Sequence, residues 1–383
     1  MIVNSILQND LYKFTMQQAV FHQYPNVQVS YSFKCRNEDV KLGYLSESIK
    51  EEIKKMERLS LSNEEYDYLD SLKIFRKDYL DYLKSYKFQS NEVDVFSHDG
   101  ELFIDIHFKS WLSSILWEVP VLYIVNELYF KDKIPQSTCV GMRNLDEKID
   151  LVKQFPQFRF ADFGTRRRFS CKWHEKVISK LVKEIDYNIV GTSNVYFAKK
   201  FNIRPIGTMA HEYIMAHIGL TNRIEEAQKR AFHVWLQEYD NDLGIALTDT
   251  FTTDAFFKDF NTVLSNGYDG VRHDSGCPYL FAENVITHYE NLDINPKTKT
   301  IVFSDGLDFP KAIDLWKRFV GRIGVSFGIG TNLTNDVGFK PLNIVMKMTN
   351  CNNIPVVKLS DNSGKTIGDK NIVNKIREVY SLS

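Results

Sequence analysis

Seven short clusters of glycine, hydroxyl, acidic and basic residues recur from position 162 onward, each directly after an apolar run. They are Asp162, Phe163, Gly164, Thr165 and Arg166; Gly191, Thr192 and Ser193; Thr208 with His211; Thr248, Asp249 and Thr250; Arg272, His273, Asp274, Ser275 and Gly276; Ser304, Asp305 and Gly306; and Gly328, Gly330 and Thr331. Side chains of these types grip anions, hold hydroxyls and move protons. Gly328-Ile-Gly330-Thr331 suits a phosphate, because glycines let backbone N–H groups approach an anion and a hydroxyl follows. Arg166 offers a guanidinium fork to a carboxylate or phosphate, and the nearby Phe163 offers a face to a planar ring. Arg272 and Asp274 form a second such pair, one for an anion and the other for a ribose hydroxyl or Mg²⁺. His211 sits between a strand and a helix, with Glu212 or Asp249 able to fix its tautomer.

Glycine, aspartate and serine also mark ordinary loops, so no single cluster decides a function. Two tempting motifs fail outright. Ser363-Gly-Lys-Thr366 lacks the earlier glycine of a Walker A loop, its place being taken by Leu359. His211-Glu-Tyr-Ile-Met215 is not H-E-x-x-H, so a zinc-protease helix is excluded.

The elements that must carry these clusters can be read from the alternation of apolar runs and helical stretches. The runs are residues 159–163, 188–190, 204–208, 244–248, 270–273, 300–304 and 322–327, with 343–348 as one more. Helical spacing fills most of the gaps, as in 211–220, 225–237, 281–292 and 308–319. Alternating βα units predict a parallel sheet or barrel, whose strand ends would gather the clusters around one pocket. Residues 10–86 read differently, as helices around one strand at 27–33, with Ser62-Asn-Glu-Glu65 as a capping box. Asp99-Gly100, flanked by 93–96 and 102–108, predicts a type I′ hairpin. The expected domains are an N-terminal α+β domain at 1–125, a βα barrel-like catalytic domain at 126–349, and a C-terminal segment at 350–383 that packs back on the first.

Composition narrows the class. The chain has 383 residues, 43% hydrophobic and 25% charged, as in ordinary globular proteins. Its net charge of −1 provides no basic surplus for displacing counterions from nucleic acid. The five cysteines, at 35, 139, 171, 277 and 351, form no C-x-x-C pair, which argues against a disulfide framework or zinc site. The N-terminus lacks the basic flank and long apolar run of a signal peptide, and the apolar stretch 111–130 is interrupted by Ser113, Ser114, Glu118, Pro120, Asn126 and Glu127. A cytoplasmic enzyme with no nucleic-acid or membrane partner is expected.

The ordered set of motifs resembles the nicotinate phosphoribosyltransferases. It begins with Asn9-Asp-Leu-Tyr-Lys-Phe-Thr-Met16 and continues with Asp162-Phe-Gly-Thr-Arg166, Gly191-Thr-Ser193 and Gly207-Thr-Met-Ala-His211. It ends with Thr248-Asp249, Val271-Arg-His-Asp-Ser-Gly276, Ser304-Asp-Gly306 and Phe327-Gly-Ile-Gly-Thr331. The resemblance implies an α/β fold, an incomplete or irregular βα barrel of the type II phosphoribosyltransferases, with an N-terminal α+β domain joined by the C-terminal tail. It implies that nicotinate displaces pyrophosphate from 5-phosphoribosyl-1-pyrophosphate (PRPP). ATP serves as co-substrate through a phosphohistidine, Mg²⁺ as cofactor with its ligands left open, and the protein as a homodimer with shared active sites.

By the same resemblance, His211 is the phosphorylated residue and Asp249 the acid beside it. Phe163 and Tyr12 of the partner subunit sandwich the pyridine ring, and Arg166 meets the nicotinate carboxylate. Arg272, Asp274, Ser275, Asp305 and Gly306 hold ribose and phosphates, with Gly328, Gly330 and Thr331 around the 5′-phosphate. Ser193 stands where related nicotinamide enzymes carry an aspartate. An anion there would repel nicotinate, so nicotinate is the expected substrate. The alternatives are a nicotinamide or quinolinate phosphoribosyltransferase, a sugar-phosphate aldolase, or a non-catalytic barrel that binds nicotinate or a nucleotide. An aldolase needs a Schiff-base lysine, which none of the seven clusters contains. A sensor needs no phosphorylatable imidazole. His273 has no role in this reading.

Overall fold

The computed structural model describes residues 1–240 and 242–382 and divides into two compact units. Unit 1 holds Met1–Asn26, Ser30–Gly207 and Ile329–Lys347; unit 2 holds Val27–Val29, Thr208–Gly328 and Met348–Ser383. The strands are β1 (Gln28–Cys35), β2 (Asp94–His98), β3 (Glu101–Ser110), β4 (Phe160–Asp162), β5 (Ile189–Thr192), β6 (Ile245–Leu247), β7 (Gly270–His273), β8 (Thr300–Phe303), β9 (Gly324–Ile329), β10 (Ile344–Cys351) and β11 (Ile354–Pro355).

Unit 1 contains the expected hairpin. β2 and β3 pair antiparallel with His98 opposite Glu101. Asp99 and Gly100 in the turn both take positive φ, 49° and 80°, as a type I′ turn requires. The capping box forms at Asn63–Ser71, where Ser62 Oγ accepts from Glu65 N–H and Glu65 accepts from Ser62 N–H. The apolar stretch becomes two helices, Trp111–Ser114 and Glu118–Phe130. Val119 to Val125 of the second are all buried, so this is a core helix with apolar contacts all round. β4 and β5 pair parallel, with Asp162 opposite Thr192.

Unit 2 carries the regular βα part. β6, β7, β8 and β9 lie side by side and parallel, with Ile245 opposite Gly270, Gly270 opposite Thr300 and Thr300 opposite Gly324. Helices Thr253–Asp259, Thr262–Gly267, Pro278–Asn291 and Phe309–Phe319 fill the crossovers. Gly270 is required by close backbone approach, since a Cβ there would lie 1.9 Å from the Thr300 carbonyl oxygen. The C-terminal helix Lys370–Val379 packs against Ile224–Tyr239.

Two expected βα runs turn out otherwise. Residues 204–208 give only an isolated parallel bridge between Thr192 and Pro205, made by Thr192 N–H donating to the Arg204 carbonyl and Ile206 N–H to the Thr192 carbonyl. Residues 343–348 form β10, which belongs to the sheet of β1, β2 and β3 and not to the parallel array. No helix follows it. Asn352 and Asn353 both take positive φ, 48° and 64°, and turn the chain straight into β11 with Cys351 opposite Ile354.

Candidate active site

In unit 2 the loops after β6, β7 and β8 and the C-terminal segment converge on His211. This residue opens the helix His211–Thr221 and is 5% exposed. Its Nε2 lies 2.8 Å from Asp249 Oδ1 and 3.5 Å from Asp274 Oδ2. Asp249 is fully buried, and its other oxygen accepts from Lys358 Nζ at 2.9 Å, Ser275 Oγ at 2.7 Å and Ser360 Oγ at 3.3 Å. Burial works against the Asp249 carboxylate, but His211 and Lys358 hold it well below the ordinary carboxylate range. Burial lowers the His211 pKa to about 4, with the Lys358 charge adding and Asp249 opposing. An ionised carboxylate can only accept, so the neutral imidazole carries its proton on Nε2 and keeps a lone pair on Nδ1.

Around this pair, Arg272 Nη1 donates to the Met209 carbonyl at 3.3 Å, and its Nη2 lies 3.9 Å from Asp274 Oδ2. Ser304 Oγ donates to Asp274 Oδ1 at 2.9 Å. Lys365 Nζ donates to Asp305 Oδ1 at 2.7 Å and the Asp274 carbonyl at 3.3 Å. Gly306 takes φ 56°, and open space surrounds the position its Cβ would occupy. Asp361 accepts from Thr253 N–H at 2.7 Å, and its own N–H donates to Ser275 Oγ at 3.1 Å. Leu359 N–H donates to the Thr250 carbonyl. The segment from Lys358 to Lys365 thus ties the three loops together.

His211, Asp249 and Asp274 bring donor atoms within 4.8 Å of one another, a spacing that invites the idea of a metal. The donor set does not fit Mg²⁺. Both Asp249 oxygens already accept hydrogen bonds, and the Lys358 ammonium stands 2.9 Å away, where the cation's charge would be opposed. His273 is buried between the rings of Phe281 and Phe303, at 4.9 and 5.8 Å, with Nε2 lacking a hydrogen-bond partner. Its place is in the packing behind β7.

Unit 1 gathers a second set. Phe163 N–H donates to the Ile329 carbonyl at 2.9 Å, and Gly330 lies against the Phe163 carbonyl, 3.1 Å from where a Cβ would stand. Thr331 begins the short helix that follows. Buried Asp162 accepts from Gly164 N–H, His174 Nε2 and Thr192 Oγ1 at 2.9, 2.7 and 2.6 Å, fixing the loops after β4 and β5. Ser193 Oγ donates to Asp10 Oδ1 at 2.7 Å, and Leu11 N–H donates to the Ser193 carbonyl at 2.8 Å. The same segment brings Tyr12 against Gly207. Arg166 Nη1 lies 3.7 Å from Glu118 Oε1, while Glu118 Oε2 pairs with the buried Lys13 ammonium at 2.6 Å. Burial would raise the Glu118 carboxyl, but Lys13, with Lys347 and Arg166 adding, brings it down to about 2.

Tyr12, Phe163, Arg166, Ser193, Gly330 and Thr331 therefore belong to unit 1, and His211, Asp249, Arg272, Asp274, Ser275, Asp305, Gly306 and Gly328 to unit 2. Sequence reasoning missed Asp10, Lys13 and Glu118 in the first unit and Lys358, Ser360, Asp361 and Lys365 in the second. A signal existed for Lys13, Glu118 and Lys358: each is a lone charge in an apolar run, which must find a partner if buried. Asp10 also alters the argument from Ser193, because a carboxylate does stand there, supplied by another segment. Burial raises its pKa, against hydrogen bonds from Ser193 and Thr165 and the charge of Arg166.

Residues 158–383 match the family model described as the Nicotinate phosphoribosyltransferase (NAPRTase) family, and residues 7–126 match its N-terminal domain. The chain belongs to the nicotinate phosphoribosyltransferase family. A protein named nicotinate phosphoribosyltransferase from Cupriavidus necator is 45% identical over 389 aligned positions, covering 100% of this chain and 99% of the relative. The crystal structure of a nicotinate phosphoribosyltransferase from Vibrio cholerae is similar with a TM-score of 0.95 at 37% identity, over 100% of this chain and 95% of that one. One from Porphyromonas gingivalis gives 0.94 at 36%, over 99% and 100%. As a nicotinate phosphoribosyltransferase family member the chain is an enzyme, and the α/β class with its N-terminal α+β domain and parallel βα array stands as expected. Among the described residues no helix is long and apolar enough to cross a membrane.

Proposed function

We propose that the chain joins nicotinate to PRPP, giving nicotinate mononucleotide and pyrophosphate, and couples this to ATP hydrolysis through phosphorylation of His211. One observation carries the coupling: a buried imidazole, neutral at physiological pH, whose Nε2–H is committed to Asp249. That leaves Nδ1 as the nucleophile. Its lone pair attacks the γ-phosphorus of ATP, an N–P bond forms, and the bond to the bridging oxygen breaks, releasing ADP. The positive charge that the ring gains is offset by the Asp249 carboxylate. Water later cleaves the N–P bond and returns phosphate.

In the pentosyl step the C1′–oxygen bond of PRPP breaks as the pyridine nitrogen bonds to C1′. Negative charge grows on the departing pyrophosphate. Arg272 and Lys365 are the cations suited to meet it, and one such fixed donor is worth roughly 3 kcal/mol. Asp274 and Asp305, each held by a partner, suit the ribose hydroxyls, with Ser275 and Gly306 beside them. Gly328, Gly330 and Thr331 suit the 5′-phosphate. Arg166 suits the nicotinate carboxylate, Phe163 and Tyr12 the faces of its ring, and Ser193 its edge. Mg²⁺, when bound, supplies charge neutralisation on the phosphates of PRPP and ATP; the cluster around His211 is not its seat.

The activity would serve salvage of nicotinate toward NAD in the cytoplasm. A homodimer with shared sites is part of the proposal, with Tyr12 entering the site of its partner. Mixing Tyr12→Ala with Arg166→Ala should then restore activity through hybrid dimers, and no regain despite subunit exchange would contradict sharing. The reaction itself is tested by chromatographic product assay with nicotinate or nicotinamide, each with and without ATP. Nicotinate mononucleotide formed with ADP is expected. Nicotinamide used as readily, or product yield indifferent to ATP, would overturn the reading.

A further inference from the structure

Lys358 lies outside every cluster that the sequence singled out, in the apolar run Pro355-Val-Val-Lys-Leu359. Its side chain is only 7% exposed, and its ammonium stands 2.9 Å from Asp249 Oδ2 and 4.0 Å from Asp274 Oδ2. The two oxygens of Asp249 are divided: Oδ1 faces His211, and Oδ2 faces Lys358, Ser275 and Ser360. A line of three groups, ammonium, carboxylate and imidazole, therefore runs through the cluster. The Leu359 N–H bond to the Thr250 carbonyl fixes the backbone beside it.

We propose that Lys358 is a positioning residue for the phosphoryl-accepting histidine, acting through Asp249. This rests on the phosphohistidine reading above. A carboxylate beside an imidazole ordinarily favours the imidazolium, which has no lone pair and cannot attack phosphorus. Lys358 draws the carboxylate's charge toward Oδ2 and keeps Asp249 an acceptor with one orientation. The imidazole is then oriented by Asp249 without being protonated by its presence. The other charges facing His211 do not replace this effect. Asp274, at 3.5 Å, acts in the opposite sense, Arg272 is turned toward Asp274, and Glu212 follows on the same helix.

The test compares pH profiles. In Lys358→Gln the side chain keeps an N–H donor and loses its charge, so the imidazolium becomes less disfavoured and the acid limb of His211 phosphorylation moves up, while burial still keeps it on the acid side of neutral. With labelled γ-phosphate of ATP, the wild type should take label at a similar initial rate at pH 5 and pH 8. Lys358→Gln should be about threefold slower at pH 5 than at pH 8, and Lys358→Arg should restore the flat profile. Lys358→Met is a second neutral variant should glutamine not fold. A uniform loss in the neutral variants, with no change of profile, would overturn the proposal and leave Lys358 a packing or phosphate contact.

A second readout separates this proposal from the phosphohistidine reading. In ¹⁵N-histidine NMR of the unliganded enzyme, assigned with His211→Asn, the wild-type His211 ring should stay neutral with Nε2 protonated from pH 8 to pH 5. The Lys358→Gln ring should begin to protonate doubly at a higher pH than the wild-type ring, within that range. If the wild type takes no label yet the rings behave so, the phosphorylation reading fails and the role of Lys358 stands. Identical titration of the two rings overturns it.

Discussion

Replacing Asp249 by asparagine changes one oxygen to NH₂ with almost no change of volume, and the structure leaves that NH₂ no good place. Facing Lys358, Ser275 and Ser360, it would set a donor among three donors. Facing His211, it would donate to Nε2 and force the proton onto Nδ1, the atom that must attack. Either orientation leaves the buried Lys358 ammonium with only the more distant Asp274 carboxylate, 4.0 Å away, as counter-charge, and breaking a buried pair costs up to about 3–5 kcal/mol. At roughly 2–4 °C per kcal/mol, unit 2 melting as one cooperative body should lose on the order of 6–20 °C. The wrong tautomer should slow phosphoryl transfer by about 10⁴-fold, the penalty such an amide exacts in a serine-protease triad. Scanning calorimetry and initial-rate labelling from ATP check the two effects separately. Labelling within tenfold of wild type would refute the argument that Asp249 sets the reactive nitrogen, and an unchanged melting temperature would refute the buried pair.

Three further outcomes follow from the same geometry. Glu118, held at about 2 against an ordinary 4.5, contributes stability that is fully present above pH 4.5 and is lost as the pH falls toward 2. Unfolding free energies from urea titrations should decline by about 2 kcal/mol between pH 6 and 3 from this group, and Glu118→Gln should be less stable at pH 6 but lose less on acidification. Arg166→Ala should raise the nicotinate KM by about 10–150-fold, the loss of a charge-assisted hydrogen bond of ~1.5–3 kcal/mol, with far less change for PRPP in steady-state kinetics. Gly270→Ala would drive its methyl into the Thr300 carbonyl, 1.9 Å away, and should cost at least ~1–3 kcal/mol in urea unfolding.

Local chemistry was the part most legible in the chain. Asp99-Gly100 and Ser62…Glu65 prescribe their turn and cap through side chains a few residues apart, and both form. The strands β6 to β9 follow from apolar runs too short for helices and separated by helical spacing. What failed depends on partners distant in sequence. The run at 343–348 carries the same apolar signal as a parallel strand, and only the Asn352-Asn353 turn betrays its antiparallel fate. At the site, His211 and Asp249 were recognisable because each follows an apolar run, and they lie 2.8 Å apart. Lys358 was harder to place: its lone charge in an apolar run says only that a partner is needed if it is buried, and that partner lies 109 positions earlier. Asp10 was missed for the same reason, as its bond to Ser193 spans 183 positions.

The central claim, that His211 receives the phosphoryl group of ATP, is tested most directly by mapping the group itself. Enzyme exposed to ATP is digested under alkaline conditions and its peptides are sequenced by mass spectrometry. The account predicts one acid-labile phosphoryl group, on Nδ1 of His211, absent from His211→Asn. Phosphorylation at another residue, or its persistence in the His211→Asn enzyme, would contradict it.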